Sequence, residues 1–287
     1  MSCPYPPRRR RVEPAKPHPG RLHCPSQPKE GRPLIELASK LEHVLLRPDV
    51  TPGEVDDACA IAVESGLAAV TVWPDEVPRA VAASDGSRVA VVAAVGGPNG
   101  TAPPTATLDQ ARRAIRAGAG HLATALDPDR IRGEGAVELA REFEAFCRMA
   151  HAEGVHVRAV LQVHLLPASE AGSPRAGPTA ARPRAAGPSA AGPGAAGPAG
   201  AGLAEACRLA VGAGADLLQT GFGFRVPATA EQVRAVRRAL PSRHAAIGVI
   251  AGGAEGAGAV RDLLEGAGAD RVAVLDPAAV LRGVAAA

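Results

Sequence analysis

The chain has 287 residues, 46% of them apolar, and a formal net charge of +3, enough for one large core of the size that α/β barrels fill with about 250 residues. The small charge, with its basic excess gathered near the start, excludes a dedicated nucleic-acid face, and no apolar run reaches the roughly 18 residues of a membrane span. Arg8 to Arg11 run into Pro and His residues without the apolar segment of a secretory leader, so a cytoplasmic protein is expected.

Residues 1–33 are rich in Pro, Arg and His, lack a hydrophobic period and are expected to form a disordered basic tail. Cys3, His18, His23 and Cys24 lie in this tail at spacings that match no standard zinc site, and no metal is expected. From residue 34 onward, β-rich runs alternate with amphipathic helical stretches, the pattern of a parallel sheet with helical crossovers. Strands are expected at Glu42 to Leu46, Ala68 to Val72, Val89 to Ala94, His121 to Leu126, Val155 to Val163, Leu217 to Thr220, Ala246 to Ala251 and Arg271 to Leu275. Helix starts are marked by Thr51-Pro52-Gly53-Glu54, by Thr229 with Gln232, and by Asp276 with Pro277. Eight apolar strands with intervening helices predict an α/β fold, a closed (β/α)8 TIM barrel over residues 34–287. Within it, residues 168–201 repeat Ala-Gly-Pro and offer almost nothing that could pack, so this stretch is expected to be a low-complexity insertion after the fifth strand. Cys3, Cys24, Cys59, Cys147 and Cys207 are odd in number and form no CxxC pair, which favours reduced thiols.

The order of motifs along residues 34 to 285 resembles deoxyribose-phosphate aldolase. The run Glu42-His43-Val44-Leu45-Leu46-Arg47-Pro48-Asp49 is similar to the family's D-H-T-L-L-K-P-D opening, and Val70-Thr71-Val72-Trp73-Pro74 to its V-C-V-N-P. Val157-Arg158-Ala159-Val160-Leu161-Gln162 stands where the family has L-K-V-I-L-E. Gly214-Ala215-Asp216 leads into Gln219-Thr220-Gly221-Phe222, the register of the family's K-T-S-T-G-F.

The resemblance implies a carbon–carbon lyase without a cofactor, in which a lysine amine condenses with the substrate carbonyl and the resulting iminium accepts the electron pair. Gln219 stands at that lysine's position, and an amide cannot make an iminium. A second family lysine falls on Val249, or on Ile250 with a one-residue shift, the family's proton-relay aspartate on Ala123, and a further strand lysine on Arg158. Only three lysines occur in the whole chain, Lys16, Lys29 and Lys40. In the family, small residues after the last strand present amides to a phosphate; here Asp276 stands nearby, and Gly252-Gly253 keeps half of the cradle.

The polar residues left near the expected strand ends give the candidate ligand-binding set Arg158, Gln162, Gln219, Thr220, Gly252 and Gly253, with His164 and Asp127 as possible acid or base. The first reading is an aldolase-like protein that has lost Schiff-base chemistry and binds a small metabolite or partner. The alternatives are a repurposed barrel enzyme using His164 or Asp127, and an aldolase with residual activity, for which Lys40 is the candidate nucleophile near the barrel. A barrel top filled by Phe222, Phe224 and Trp73 favours the first, and the resemblance implies homo-oligomers.

Overall fold

The computed structural model of the protein describes residues 32–166, 202–223, 226–240, 248–254 and 256–286. The 168–201 insertion, Phe224, Cys3, Cys24 and all but the last two residues of the 1–33 tail lie outside these residues. Those last two residues open the first helix, so regular structure begins slightly earlier than the composition suggests.

In chain order the elements are α1 (Arg32–Ala38), β1 (Leu41–Leu45), α2 (Pro52–Ser65), β2 (Ala69–Val72), α3 (Val77–Ala83), β3 (Ala90–Val95), α4 (Pro104–Arg116), β4 (His121–Ala125), α5 (Pro128–Arg132) and α6 (Ala136–Ala152). They continue with β5 (His156–Val160), α7 (Leu203–Gly212), β6 (Leu217–Gln219), α8 (Ala230–Ala239), β7 (Gly248–Ala254), α9 (Ala257–Arg261), β8 (Arg271–Val274) and α10 (Pro277–Ala285). The eight strands form a closed barrel in sequence order, every pair parallel, with β1 joined to β8. The expected (β/α)8 TIM barrel is the observed architecture.

The capping signals act as the sequence predicts. Thr51 and Glu54 form a reciprocal capping box on α2, Thr229 and Gln232 form another on α8, and the Asp276 carboxylate accepts from the amide of Ala279 at the start of α10. Most strand ends lie within one residue of expectation, and two differ by three. β5 stops at Val160 rather than Val163, because Gln162 takes a left-handed conformation (φ 49°) and Val163–Leu165 curl into a 3-10 turn. β7 runs on to Ala254, past the expected Ala251, with a register shift between Gly252 and Ala254.

Strand periodicity separates two cores. Leu41, Leu45, Val70, Leu122, Leu218 and Val249 face the helices, whereas Val44, Leu46, Ala69, Val92, Ala123, Val160 and Ile250 fill the barrel with Phe222. At the N-terminal end of the barrel, two Gly-Ala-Asp turns do the same work. Asp216 accepts from the Val157 amide at 2.7 Å, and Asp270 accepts from the Val249 amide at 2.7 Å, each tying a neighbouring strand's early backbone to the turn. Cys59, Cys147 and Cys207 are free thiols buried in the outer core, and burial pushes the last two up to about 12, leaving them protonated and inert. Among the described residues no helix is long and apolar enough to cross a membrane.

Candidate functional site

The C-terminal face of such a barrel is where its loops can meet a ligand, and here a cavity of about 250 Å3 opens on it, lined by Asn99, Gln162, His164, Leu165, Phe222 and Val226 together with Pro98 and the glycines 221 and 223. Its walls come from the loop after β3, the turn after β5 and the loop after β6. Gln162 is the one non-glycine residue with positive φ among the described residues. Its Nε2 donates to the Asn99 carbonyl at 3.1 Å and fastens the β5 turn to the β3 loop. A strained backbone held by a cross-loop bond fixes the shape of the mouth. His164, on the exposed side of the same turn, is the only ionisable side chain lining the cavity among the described residues.

Phe222 forms the floor. It is 5% exposed and belongs to the inner core, against which Trp73 also packs. Beneath it, Gln219 is 3% exposed and its Nε2 donates to the Gly221 carbonyl at 2.9 Å. The amide that the resemblance sets against the Schiff-base lysine is therefore turned onto its own loop. Thr220 is also occupied structurally, its hydroxyl accepting from the Gly252 amide at 3.1 Å. Gly252 and Gly253 are explained by close backbone approach. A Cβ on Gly252 would sit 2.0 Å from the Gly221 carbonyl oxygen, and one on Gly253 would sit 2.2 Å from that of Gly223. The two strand-end loops thus fill the space that an open cradle needs.

Arg158 does not join Gln162 and Gln219 at the mouth. It lies deeper, fully buried, with Nη1 2.5 Å from Oε2 of Glu42, which is itself 3.2 Å from Nη1 of Arg271 through its other oxygen. The Arg158 Nε lies 3.3 Å from Nδ1 of His121, whose ring packs 5.0 Å from that of His156. Burial, and then the Arg158 charge, depresses His121 to about 3, so the ring is neutral and can accept the Arg158 proton. Among the described residues the Arg158 Nη2 has no hydrogen-bond partner. Ala123, which the resemblance sets against the family aspartate, pairs in register with Arg158 and contributes only a methyl group. Of the two positions for the second family lysine, Val249 faces the helical layer and Ile250 the barrel interior.

Asp127 caps α5, accepting from the amides of Asp129 at 2.8 Å and Arg130 at 3.4 Å. Asp276 caps α10 at 2.8 Å, so the helix end that could receive an anion already carries a carboxylate. His43 is also structural, its Nε2 3.0 Å from the Leu275 carbonyl. Among the described residues no group of three or more His, Cys, Asp or Glu side chains could hold a metal ion. Sequence reading missed the roles of Asn99 and Glu42. The signal for Glu42 was its parity with Val44 and Leu46, which puts all three on the inward face of β1.

No protein-family model matches the chain. Among curated proteins it is 30% identical to a deoxyribose-phosphate aldolase from Frankia alni over 86% of this chain and 97% of that one. It is 31% identical to one from Mycobacterium bovis over 88% and 99%. A third, from Crocosphaera subtropica, is 28% identical over 136 residues, and the chain spans 60% of that protein's length. A solved structure, described as a unique tetrameric structure of deoxyribose phosphate aldolase from Aeropyrum pernix, superposes with a TM-score of 0.69 at 21% identity, over 89% of this chain and 95% of the other, and so shares the fold. With two relatives at or above 30% identity matched over nearly their whole lengths, the chain belongs to the deoxyribose-phosphate aldolase family.

Proposed function

We propose that this chain has left Schiff-base aldol chemistry and acts by binding a small, uncharged polar molecule at the mouth of its barrel. The observation that carries this is Gln219, buried at the family's lysine position with its amide bound to the Gly221 carbonyl. The amide nitrogen's lone pair is delocalised into its carbonyl, so it neither attacks an aldehyde nor forms an iminium. Ala123 and Ile250 add no proton donor and no charge that could help another group do so. Lys40, the single lysine among the described residues, precedes β1 at the opposite end of the barrel, with Nζ 3.5 Å from Glu36.

The ligand class follows from the lining. Among the described residues no lysine or arginine faces the cavity, and Asp276 occupies the helix end where a phosphate would be held. Asn99, Gln162 and His164 supply neutral hydrogen-bonding groups beside Leu165, Phe222 and Val226. The repurposed-enzyme reading has less support, since Asp127 is a helix cap and His164 stands in the cavity without a second acid or base among the described residues. Self-association is part of the proposal, by extension from the tetrameric Aeropyrum pernix relative, as is a cytoplasmic location.

The test is borohydride trapping of the full chain with deoxyribose 5-phosphate, read by intact mass, with acetaldehyde release measured in parallel. Neither adduct nor acetaldehyde is expected. A stable adduct accompanied by turnover would overturn the proposal and direct attention to Lys40 or the α-amine.

A further inference from the structure

A second cavity, of about 210 Å3, opens on the side of the barrel between α4 and α6, against the C-terminal half of β4. The loop after β3 divides it from the mouth, with Pro98 and Asn99 facing the mouth and Gly100 and Ala102 facing this side cavity. That loop is seated tightly, since a Cβ on Gly100 would lie 2.4 Å from the Ala125 carbonyl oxygen. The cavity is therefore bounded by a strand, two long helices and a closely packed loop, and stands preformed.

Its chemistry is narrow. Phe143 and Phe146 of α6 stack with ring centroids 6.1 Å apart and planes 16° from parallel, giving the wall an aromatic face. Leu108 and Leu126 extend the apolar lining. Arg130 and Glu142 are the only ionisable residues there among the described residues, and they satisfy each other in a bidentate pair at 2.7 and 3.1 Å, leaving no net charge for an ionic ligand. One polar group remains open. Thr124 is 6% exposed, lines the cavity, and its hydroxyl makes no hydrogen bond among the described residues, whereas the hydroxyl of neighbouring Thr107 is held by the Pro103 carbonyl at 3.3 Å. That hydroxyl is not among the solvent-sealed unpaired atoms of the described residues, so it stays reachable from the cavity and free to bond a molecule that enters.

We propose that this side cavity is a binding site, separate from the barrel mouth, for a small neutral molecule of one or two fused apolar rings with a single hydrogen-bonding group directed at Thr124. The volume suits that size, because apolar cavities of about 150 Å3 already admit a benzene ring.

Indole is the probe, titrated into the full chain by calorimetry and ligand-observed NMR. Saturable binding is expected with a dissociation constant on the order of 10⁻⁴ to 10⁻³ M for a ligand of so few atoms. Ala145→Leu from the α6 wall and Ala102→Leu from the loop each fill the cavity and should weaken binding at least tenfold, with circular dichroism and the unfolding midpoint serving as the check on folding. Should α6 reject the larger side chain, the loop variant alone decides. No saturable binding up to the solubility of indole, or binding left unchanged by a folded filling variant, would overturn the assignment.

Discussion

Nη1 of Arg158 and Oε2 of Glu42 lie 2.5 Å apart with both side chains sealed inside the barrel. Such a pair costs several kcal/mol to desolvate, and the attraction offsets this only while both partners remain. Glu42 also holds Arg271, and Arg158 already has one unpaired Nη2. Removing the carboxylate strands two guanidinium groups; removing Arg158 leaves Glu42 one partner. Glu42→Gln is therefore expected to lose about 3–5 kcal/mol of unfolding free energy, and Arg158→Met less. The double variant Glu42→Leu with Arg158→Met should be more stable than Glu42→Gln alone, as read from urea unfolding midpoints.

His121 makes stability depend on pH in a predictable direction. Burial and the Arg158 charge hold its folded-state pKa at about 3, against an ordinary value of 6.5. Below pH 6.5 the unfolded chain takes up a proton that the folded chain refuses. Stability is thus complete above pH 6.5 and declines as the pH falls toward 3, by about 1.4 kcal/mol per unit for this group. Between pH 6.5 and 5 the loss is roughly 2 kcal/mol. His43, lowered chiefly by burial, acts in the same direction. His121→Asn keeps an acceptor for the Arg158 Nε and cannot titrate, so its stability should fall less steeply over that interval. An unchanged acid limb would place the responsible group elsewhere.

The barrel was legible because its signals are local. Thr51 with Glu54 and Thr229 with Gln232 announce helix starts through contacts three residues apart, and each apolar strand carries its own period. The site was legible only in part, because depth and side-chain direction are properties of the closed barrel. Arg158 and Gln162 share a strand face by parity, yet one is drawn down to Glu42, 116 residues away in sequence, and the other bends out to meet Asn99. Asp127 reads as a free carboxylate at a strand end, but the start of α5 claims it. The mapping of a family lysine onto Val249 or Ile250 becomes a difference of direction once β7 is placed, since one faces the helices and the other the interior.

Gln219→Lys tests whether the amine is the only missing part. The new lysine would enter a site 3% exposed, beneath Phe222, with Ala123 and Ile250 where the family resemblance places an aspartate and a lysine. Without a group to relay protons or to tune its charge, it is expected to release no acetaldehyde from deoxyribose 5-phosphate. The variant should also be less stable than the parent, by about 1–3 kcal/mol, because the Gly221 carbonyl loses its amide donor and a cation is buried. Turnover in this variant would mean that the rest of the catalytic apparatus persists in a form that neither Ala123 nor Ile250 supplies.

The close approach of the two strand-end loops predicts opposite effects for the same substitution at two glycines. On Gly252 a Cβ would stand 2.0 Å from the Gly221 oxygen and 3.2 Å from the Gly223 nitrogen, backbone atoms that cannot swing aside. Gly252→Ala must push the β6 loop outward, disturbing the Gln219 bond to Gly221 and the floor of the mouth, at a cost of about 1–3 kcal/mol or more. Gly258 lies within α9, where nothing stands within 4 Å of an added Cβ. Alanine there removes a glycine's unfolded-state freedom from a helix and is expected to add roughly 0.5–1 kcal/mol. Thermal and urea unfolding of the two variants, compared side by side, should shift in opposite directions. If Gly252→Ala were as well tolerated as Gly258→Ala, the loops would not be in contact, and the mouth would be deeper than the 250 Å3 cavity implies.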